Sequence, residues 1–422
     1  MRLVVAVSAV LGLHMWQGDA NEAFLNSDTT AVTEGVRIFV KPPEVCGCPQ
    51  GCVWELLKML YGLKAAPLAW FLTITKVLNK LGYKQCRDDP CLFIKIAGSV
   101  YSILALVVDD ILAASNTKQA NADLLSGLRQ HFSIKDLGEP KYCLGINIRR
   151  IGRNHIRLSQ DVYITKLLQQ YKQEDAKAVY TPSVKDHVLT RDMCGSKTGV
   201  INKPYRNLVG ALLYATITRP DIQVSVSILA QFSEDPGIGH WNAAIRVLRY
   251  LKATLDLCLD FKPTKCPKGL ELVVYVDASF DSCIITSRSR TGYFLSFCGC
   301  IISWRSSLQP IVALSTCEAE YVAMSRAAQD VVCMRRVLCD LGFAQSATQM
   351  FGDNSAALKL ADNDMVRPRT RHIRRRYHYI REQVLARLII VVKVAGTENP
   401  ADFLTKVLGK RLFDKQRQHY VR

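Results

Sequence analysis

Leu104-Ala105-Leu106-Val107-Val108-Asp109-Asp110-Ile111-Leu112 runs apolar β-formers into two adjacent carboxylates and out again into apolar residues. That order predicts a β-hairpin with the acids at its tip. Neighbouring carboxylates repel each other and are costly to bury unpaired. A solvated Asp-Asp turn would satisfy them with water. A site for Mg²⁺, built from hard oxygen ligands on a rigid strand pair, would satisfy them with a cation. The second reading needs a further carboxylate from elsewhere in the chain. Asp19 is a candidate: it follows a short strand and precedes the apolar turn Ala23-Phe24-Leu25, where it also fits as a helix cap.

The chain has 422 residues, enough for two or three domains with their own cores. Its 49% apolar and 22% charged content is that of a globular protein. A net charge of +18 favours an anionic polymer as partner. The 15 cysteines sit singly in apolar runs, as at Cys143, Cys258, Cys333 and Cys339. They fit small core residues in a reducing compartment, not a disulfide framework. Cys46, Cys48 and Cys52 have C-x-C-x₃-C spacing but no fourth zinc ligand nearby. Met1-Arg2 and the apolar run to Leu13 resemble a signal peptide, but the run is too short to span a membrane. We take residues 3–15 as a buried helix and place the chain in the cytoplasm or nucleus.

Outward from the hairpin, the pattern predicts a strand, a loop and a long amphipathic helix over 53–83. A strand pair turning at Ala97-Gly98 precedes the hairpin, and helices at 117–132 and 159–171 flank a strand at 144–148. In the loop Leu60-Tyr61-Gly62-Leu63-Lys64-Ala65-Ala66-Pro67, small residues would let a ligand approach the backbone closely. Asp19-Ala20-Asn21-Glu22-Ala23-Phe24-Leu25-Asn26, Leu60 to Trp70, Val107-Val108-Asp109-Asp110 and Asp136 to Gly145 together resemble the reverse transcriptase of copia-type LTR retrotransposons. The resemblance implies two Mg²⁺ ions held by Asp19, Asp109 and Asp110 for transfer to a primer hydroxyl. It places Lys64 beside nucleotide and template phosphates. Val107 stands where the family usually has Tyr. The family's fingers would lie upstream of residue 1, so autonomous DNA synthesis is not the expected activity.

Residues 175–262 predict a helical connection, with Arg219-Pro220-Asp221 stopping one helix. The helix from His240 to Thr254 has Ala244, Val247, Leu248 and Leu251 on one face and Arg246, Arg249 and Lys252 on another. The basic face is either solvated or tracks a duplex backbone. After the linker Pro263 to Gly269, a β-β-β-α-β-α-β-α pattern carries acids at its junctions: Asp277, Glu320, Asp353 and Asp402. Each alone fits a cap or a surface acid. Together they resemble the copia-type ribonuclease H over 271–410, which implies two Mg²⁺ ions and water attack on an RNA phosphodiester. Glu318 and Glu320 are two apart and cannot share a helix face. Glu320, followed by Tyr321-Val322-Ala323, matches the nuclease pattern, and Glu318 is the alternative. Arg367, Arg369, Arg371, Arg374, Arg375 and Arg376 put six arginines into ten residues. They form either a solvated run or, as Arg371, Arg374, Arg375 and Arg376 would in the family, a contact to the hybrid backbone.

The expected fold is mixed α/β (α+β): a partial reverse-transcriptase palm at 1–180, a helical connection at 181–267, a ribonuclease H-like domain at 268–410 and a basic tail at 411–422. The expected activity is Mg-dependent hydrolysis of RNA in RNA–DNA hybrids. A nucleic-acid-binding remnant without catalysis is the alternative. RNA template, DNA and other parts of a Pol polyprotein are the implied partners, and no membrane is expected.

Overall fold

The computed structural model describes residues 1–32, 37–199, 201–264, 269–362 and 375–422. The chain divides into two units, one of residues 11–144 and one of residues 2–10 with 145–422. The boundary read near 180 therefore falls inside the second unit. The architecture is mixed α/β, as the sequence pattern indicates.

The first helix, α1 (Arg2–Leu11), belongs to the second unit. Val4 to Val7 are fully buried, and Arg2 lies over the Trp304 ring, 4.0 Å from its centroid. The helix is shorter than the predicted 3–15. Gly12 takes a positive φ of 64°, and β1 (His14–Ala20) begins two residues later. No helix among the described residues is long and apolar enough to cross a membrane.

In the first unit, β2 (Ile38–Val40) pairs with β3 (Trp54–Leu56). The helix α2 (Ala66–Lys80) follows, with Pro67 in its first turn, where a missing N–H costs nothing. Then come β4 (Lys84–Gln85), β5 (Leu92–Ala97), β6 (Val100–Val107), β7 (Asp110–Ser115), α3 (Lys118–Arg129), β8 (Ile134–Gly138) and the short β9 (Tyr142–Cys143). The main sheet has the order β4-β5-β6-β7-β1-β8, with every neighbour antiparallel. Trp70, Ile74 and Leu78 of α2, with Leu124 and Leu128 of α3, pack on Phe93, Leu104, Leu106 and Ile111. Alternate strand residues face this core, and the period of two sets the hairpin register.

The second unit begins with the hairpin β10 (Ile146–Gly152) and β11 (His155–Ser159), then α4 (Asp161–Gln170), α5 (Gly195–Thr198), α6 (Tyr205–Ala215), α7 (Gln223–Leu229), α8 (Ile238–Ala253) and β12 (Leu259–Phe261). Arg219 is more than a helix stop. Its buried guanidinium grips both oxygens of Asp221 and bonds Thr254, while the Tyr250 hydroxyl donates to Asp221 at 2.6 Å. The basic face of α8 holds the chain's own backbone. Arg249 donates to the Lys177 carbonyl, Lys252 to the Ala176 carbonyl and Arg246 to the Thr181 hydroxyl. One donor of each of these three side chains is thereby tied to residues 176–181 of the same unit.

Beyond them lie β13 (Leu272–Ser279), β14 (Arg290–Phe297), β15 (Cys300–Leu308), α9 (Thr316–Asp340), β16 (Thr348–Gly352), α10 (Ser355–Asp362), α11 (Tyr379–Leu385), β17 (Ile389–Lys393) and α12 (Lys410–Arg417). The sheet order is β15-β14-β13-β16-β17. The first three strands are antiparallel, and β16 and β17 run parallel to β13. The residues read as a basic tail are packed. Phe413, Tyr420 and Val421 are buried, and Arg422 exchanges backbone hydrogen bonds with Cys258.

Candidate metal centres

The strand register builds the C-terminal site. Tyr275 of β13 sits beside Phe351 of β16 in parallel register. Two residues on, Asp277 and Asp353 emerge at the same end of neighbouring strands. Asp402 arrives on a 3₁₀ turn, Pro400–Leu404, at the place of the last helix in the β-β-β-α-β-α-β-α pattern. Asn399 fixes that turn: its side-chain Oδ1 accepts from the Ala401 N–H, and its side-chain Nδ2 donates to the Val276 carbonyl at 2.9 Å. Gly292, opposite Asp277 on β14, makes room for the turn, since a Cβ there would lie 2.5 Å from Thr405 and 2.9 Å from Leu404.

Carboxylate oxygens of Asp277, Asp353 and Asp402 lie within 4.8 Å of one another. Glu320, in the first turns of α9, faces the same acids and accepts a hydrogen bond from the Ala278 N–H. Glu318 serves the helix end instead. Ser315 caps its N–H, and its carboxylate accepts from the Leu314 N–H at 2.7 Å. Burial, with Asp402 and Asp353 adding, pushes Asp277 up to about 7 against the pull of Lys406 and Thr405. Burial, then Asp277 and Asp353, pushes Glu320 up to about 9. Thr405 donates to Asp277, and Lys406 bonds Asp402 at 2.6 Å and lies 3.6 Å from Asp277. Burial opposes the charge on Lys406, yet Asp277 and Asp402 hold its ammonium above the ordinary lysine value. Four hard-oxygen donors crowded until two of them favour their protonated forms suit divalent cations. Asp277, Asp353, Asp402 and Glu320 would hold such ions.

The hairpin acids are arranged differently. Asp19 is the cross-strand partner of Asp110, so their side chains share a face. Asp109 sits in the two-residue turn with Val108, and its carbonyl accepts from the Ala20 N–H at 3.0 Å. Val108 takes a φ of +57°, a conformation that favours glycine, and its carbonyl accepts from the Trp70 indole. Burial, with Asp109 and Asp19 adding, raises Asp110 above the ordinary carboxylate range, against a hydrogen bond from Gln17. Among the described residues, only the C-terminal acids bring three ligand atoms within 4.8 Å of one another.

Lys64 is exposed in the turn that leads into α2. Arg367, Arg369, Arg371 and Arg374 lie outside the described residues. Arg375 and Arg376 open a 3₁₀ turn over Arg375–His378. The sulfurs of Cys46, Cys48 and Cys52 form no ligand group among the described residues. Sequence reasoning gave no role to Asn399, Thr405 or Lys406. The only signal was their spacing around Asp402, with Lys406 four residues beyond it.

Residues 1–185 match the family described as reverse transcriptase (RNA-dependent DNA polymerase). The retrovirus-related Pol polyprotein from transposon TNT 1-94 of Nicotiana tabacum is 36% identical over 426 residues, covering 98% of this chain and 31% of that protein. The putative transposon Ty5-1 protein of Saccharomyces cerevisiae is 32% identical over 317 residues, covering 74% of this chain and 100% of that protein. The chain belongs to the copia-type Pol polyprotein family. This copia-type chain spans about a third of the length of the plant Pol polyproteins it matches. RNase H1 from Halobacterium salinarum overlaps 32% of the chain and 94% of its own length, at 20% identity and a TM-score of 0.25. That overlap is too weak to bear on the fold, which the strand order of β13 to β17 defines by itself.

Proposed function

We propose that the second unit hydrolyses the RNA strand of RNA–DNA hybrids with the help of two Mg²⁺ ions. The convergence of Asp277, Asp353 and Asp402 within 4.8 Å, with Glu320 facing them, is the observation that supports this reading. Bound there, the ions would activate a water and stabilise the attacking and leaving oxygens of an in-line displacement. Asp277 and Asp353 orient from adjacent strand ends, Asp402 closes the third side, and Glu320 has the buried setting that suits a proton carrier. Thr405 and Lys406 hold Asp277 and Asp402 in place. A nuclease of this kind has to read the 2′-OH to choose RNA over DNA. The net charge of +18 supports a polyanionic partner.

The test is cleavage of a labelled RNA strand in an RNA–DNA hybrid with Mg²⁺, comparing the intact chain with Asp277→Asn. Cleavage that the substitution abolishes is the expected result. No cleavage by folded protein that still binds the hybrid salt-dependently would favour the catalytically inactive remnant. Primer extension tests the Asp19, Asp109 and Asp110 site separately, since Lys64 and the hairpin support a polymerase ancestry.

A further inference from the structure

Beside the nuclease acids, the second unit encloses a cavity of about 600 Å³, inside the range of small-molecule sites. Its walls come from the 182–189 loop, α7, α8, the loop after β13 and residues 405–407. Much of the lining is apolar, including Val224, Ile228, Phe232 and Ile284. Its charges are lopsided: Arg246, Arg249, Arg290 and Lys406 face in, against Asp186 alone. Lys406 is held by Asp402 and Asp277, and Arg249 by the Lys177 carbonyl.

Arg290 and Arg246 remain under-compensated. Arg290 is 3% exposed, and its Nη1 donates only to hydroxyls, Ser227 at 2.7 Å and Ser306 at 3.3 Å. Among the described residues it has no carboxylate partner, and burial pulls its guanidinium down to about 10. The buried Nε of Arg246 has no hydrogen-bond partner, and only its Nη2 is engaged, by Thr181. Arg219 shows how this fold satisfies a buried guanidinium when the need is structural, by closing it on Asp221. An ionised arginine kept without an anion is a standing cost to stability, and a bound anion would remove it.

We propose that this cavity binds a nucleotide through its phosphate, which completes Arg290 and Arg246 while the base or sugar packs against Ile228, Phe232 and Ile284. The nucleotide comes either free or as the phosphorylated end of a strand. The strand source rests on the nuclease reading, because Thr405 and Lys406 line the cavity and also contact the nuclease acids Asp277 and Asp402.

The test is calorimetric titration of the full chain in EDTA, where no metal-dependent turnover occurs. The probes are AMP, adenosine, and a short single-stranded oligonucleotide with and without a 5′-phosphate. AMP is expected to bind at least about tenfold tighter than adenosine, with Arg290→Met and Arg246→Gln each weakening AMP by about tenfold. Arg290→Met removes an uncompensated charge with little change of volume, so the ligand-free thermal midpoint is expected to hold or rise. If the phosphorylated oligonucleotide also binds and loses affinity in Arg290→Met, the source is a strand end. If only AMP responds to Arg290→Met, it is the free nucleotide. Absence of AMP binding, or AMP binding indifferent to both arginines, would overturn the proposal. So would a lowered midpoint in Arg290→Met with unchanged affinity, which would make Arg290 a structural tie between Ser227 and Ser306. A chain that cleaves hybrid but binds no AMP loses only the cavity reading. One that binds AMP but never cleaves loses only the nuclease reading.

Discussion

At the hairpin tip, Asp19, Asp109 and Asp110 are partly exposed on the rim of an antiparallel sheet. In the second unit, Asp277 and Glu320 are 1% and 7% exposed, and Lys406 lies against Asp277 and Asp402. Asp109 occupies the hairpin turn and Asp110 opens the next strand, so of the two adjacent acids only Asp110 stands in register with Asp19. Parallel strands instead deliver their ends together, so Asp277 and Asp353 meet and burial sharpens their repulsion. Topology thus decides which set of acids is crowded into one buried space.

The hardest way to break the contrast is to remove one acid from each cluster. Asp277→Asn is expected to cut hybrid cleavage by about a thousandfold or more, while Asp109→Asn, in the other unit, leaves it within about twofold. Equal losses in a cleavage assay would show that the clusters do not act separately.

Lys406→Met sharpens the contrast. Without metal, the crowded acids lose the ammonium that offsets them, and the thermal midpoint is expected to fall by about 2–4 °C, the shift that ~1 kcal/mol gives a domain of this size. Added Mg²⁺ should then raise the midpoint of the variant more than that of the parent chain. Scanning fluorimetry with and without Mg²⁺ reads both.

A pH series separates the clusters further. Burial raises Glu320 to about 9 in the folded chain, so between pH ~4.5 and that value the folded state keeps a proton the unfolded state has released. The protonated carboxyl therefore supports the metal-free fold fully at low pH, and that support fades as pH rises toward 9. Glu320→Gln should flatten the decline in midpoint across this window, and saturating Mg²⁺ should flatten it in the parent. An unchanged slope in the variant would argue that Glu320 is not buried among the acids.

The smallest effect is expected at Val108→Gly. Relieving a β-branched residue from φ +57° should stabilise the first unit by about 1 kcal/mol, visible as a higher denaturation midpoint with cleavage unchanged. A destabilised variant would mean that the exposed valine side chain matters more than the turn.

Periodicity and punctuation in the sequence located the hairpin, the strand that carries Asp277, the strand that leads into Asp353, the helix of Glu320 and the β-to-α junction at Asp402. Each is set by residues a few positions apart, through alternation, caps and turn residues. The choice between Glu318 and Glu320 needed tertiary contacts, because both acids fit the first turns of α9 until Leu314 occupies one and Ala278 the other. The roles of Asn399 and Gly292 needed them too, since each acts on backbone more than 100 residues away in sequence. The same is true of α1, which precedes the first unit in sequence and packs in the second, of the hydrogen bonds from α8 to residues 176–181, and of Arg290, which has no carboxylate partner among the described residues. Local spacing fixes what an element is. Burial, register across distant strands and the balance of charge in a closed space exist only once the chain has folded, and those are what turn separate acids into a site.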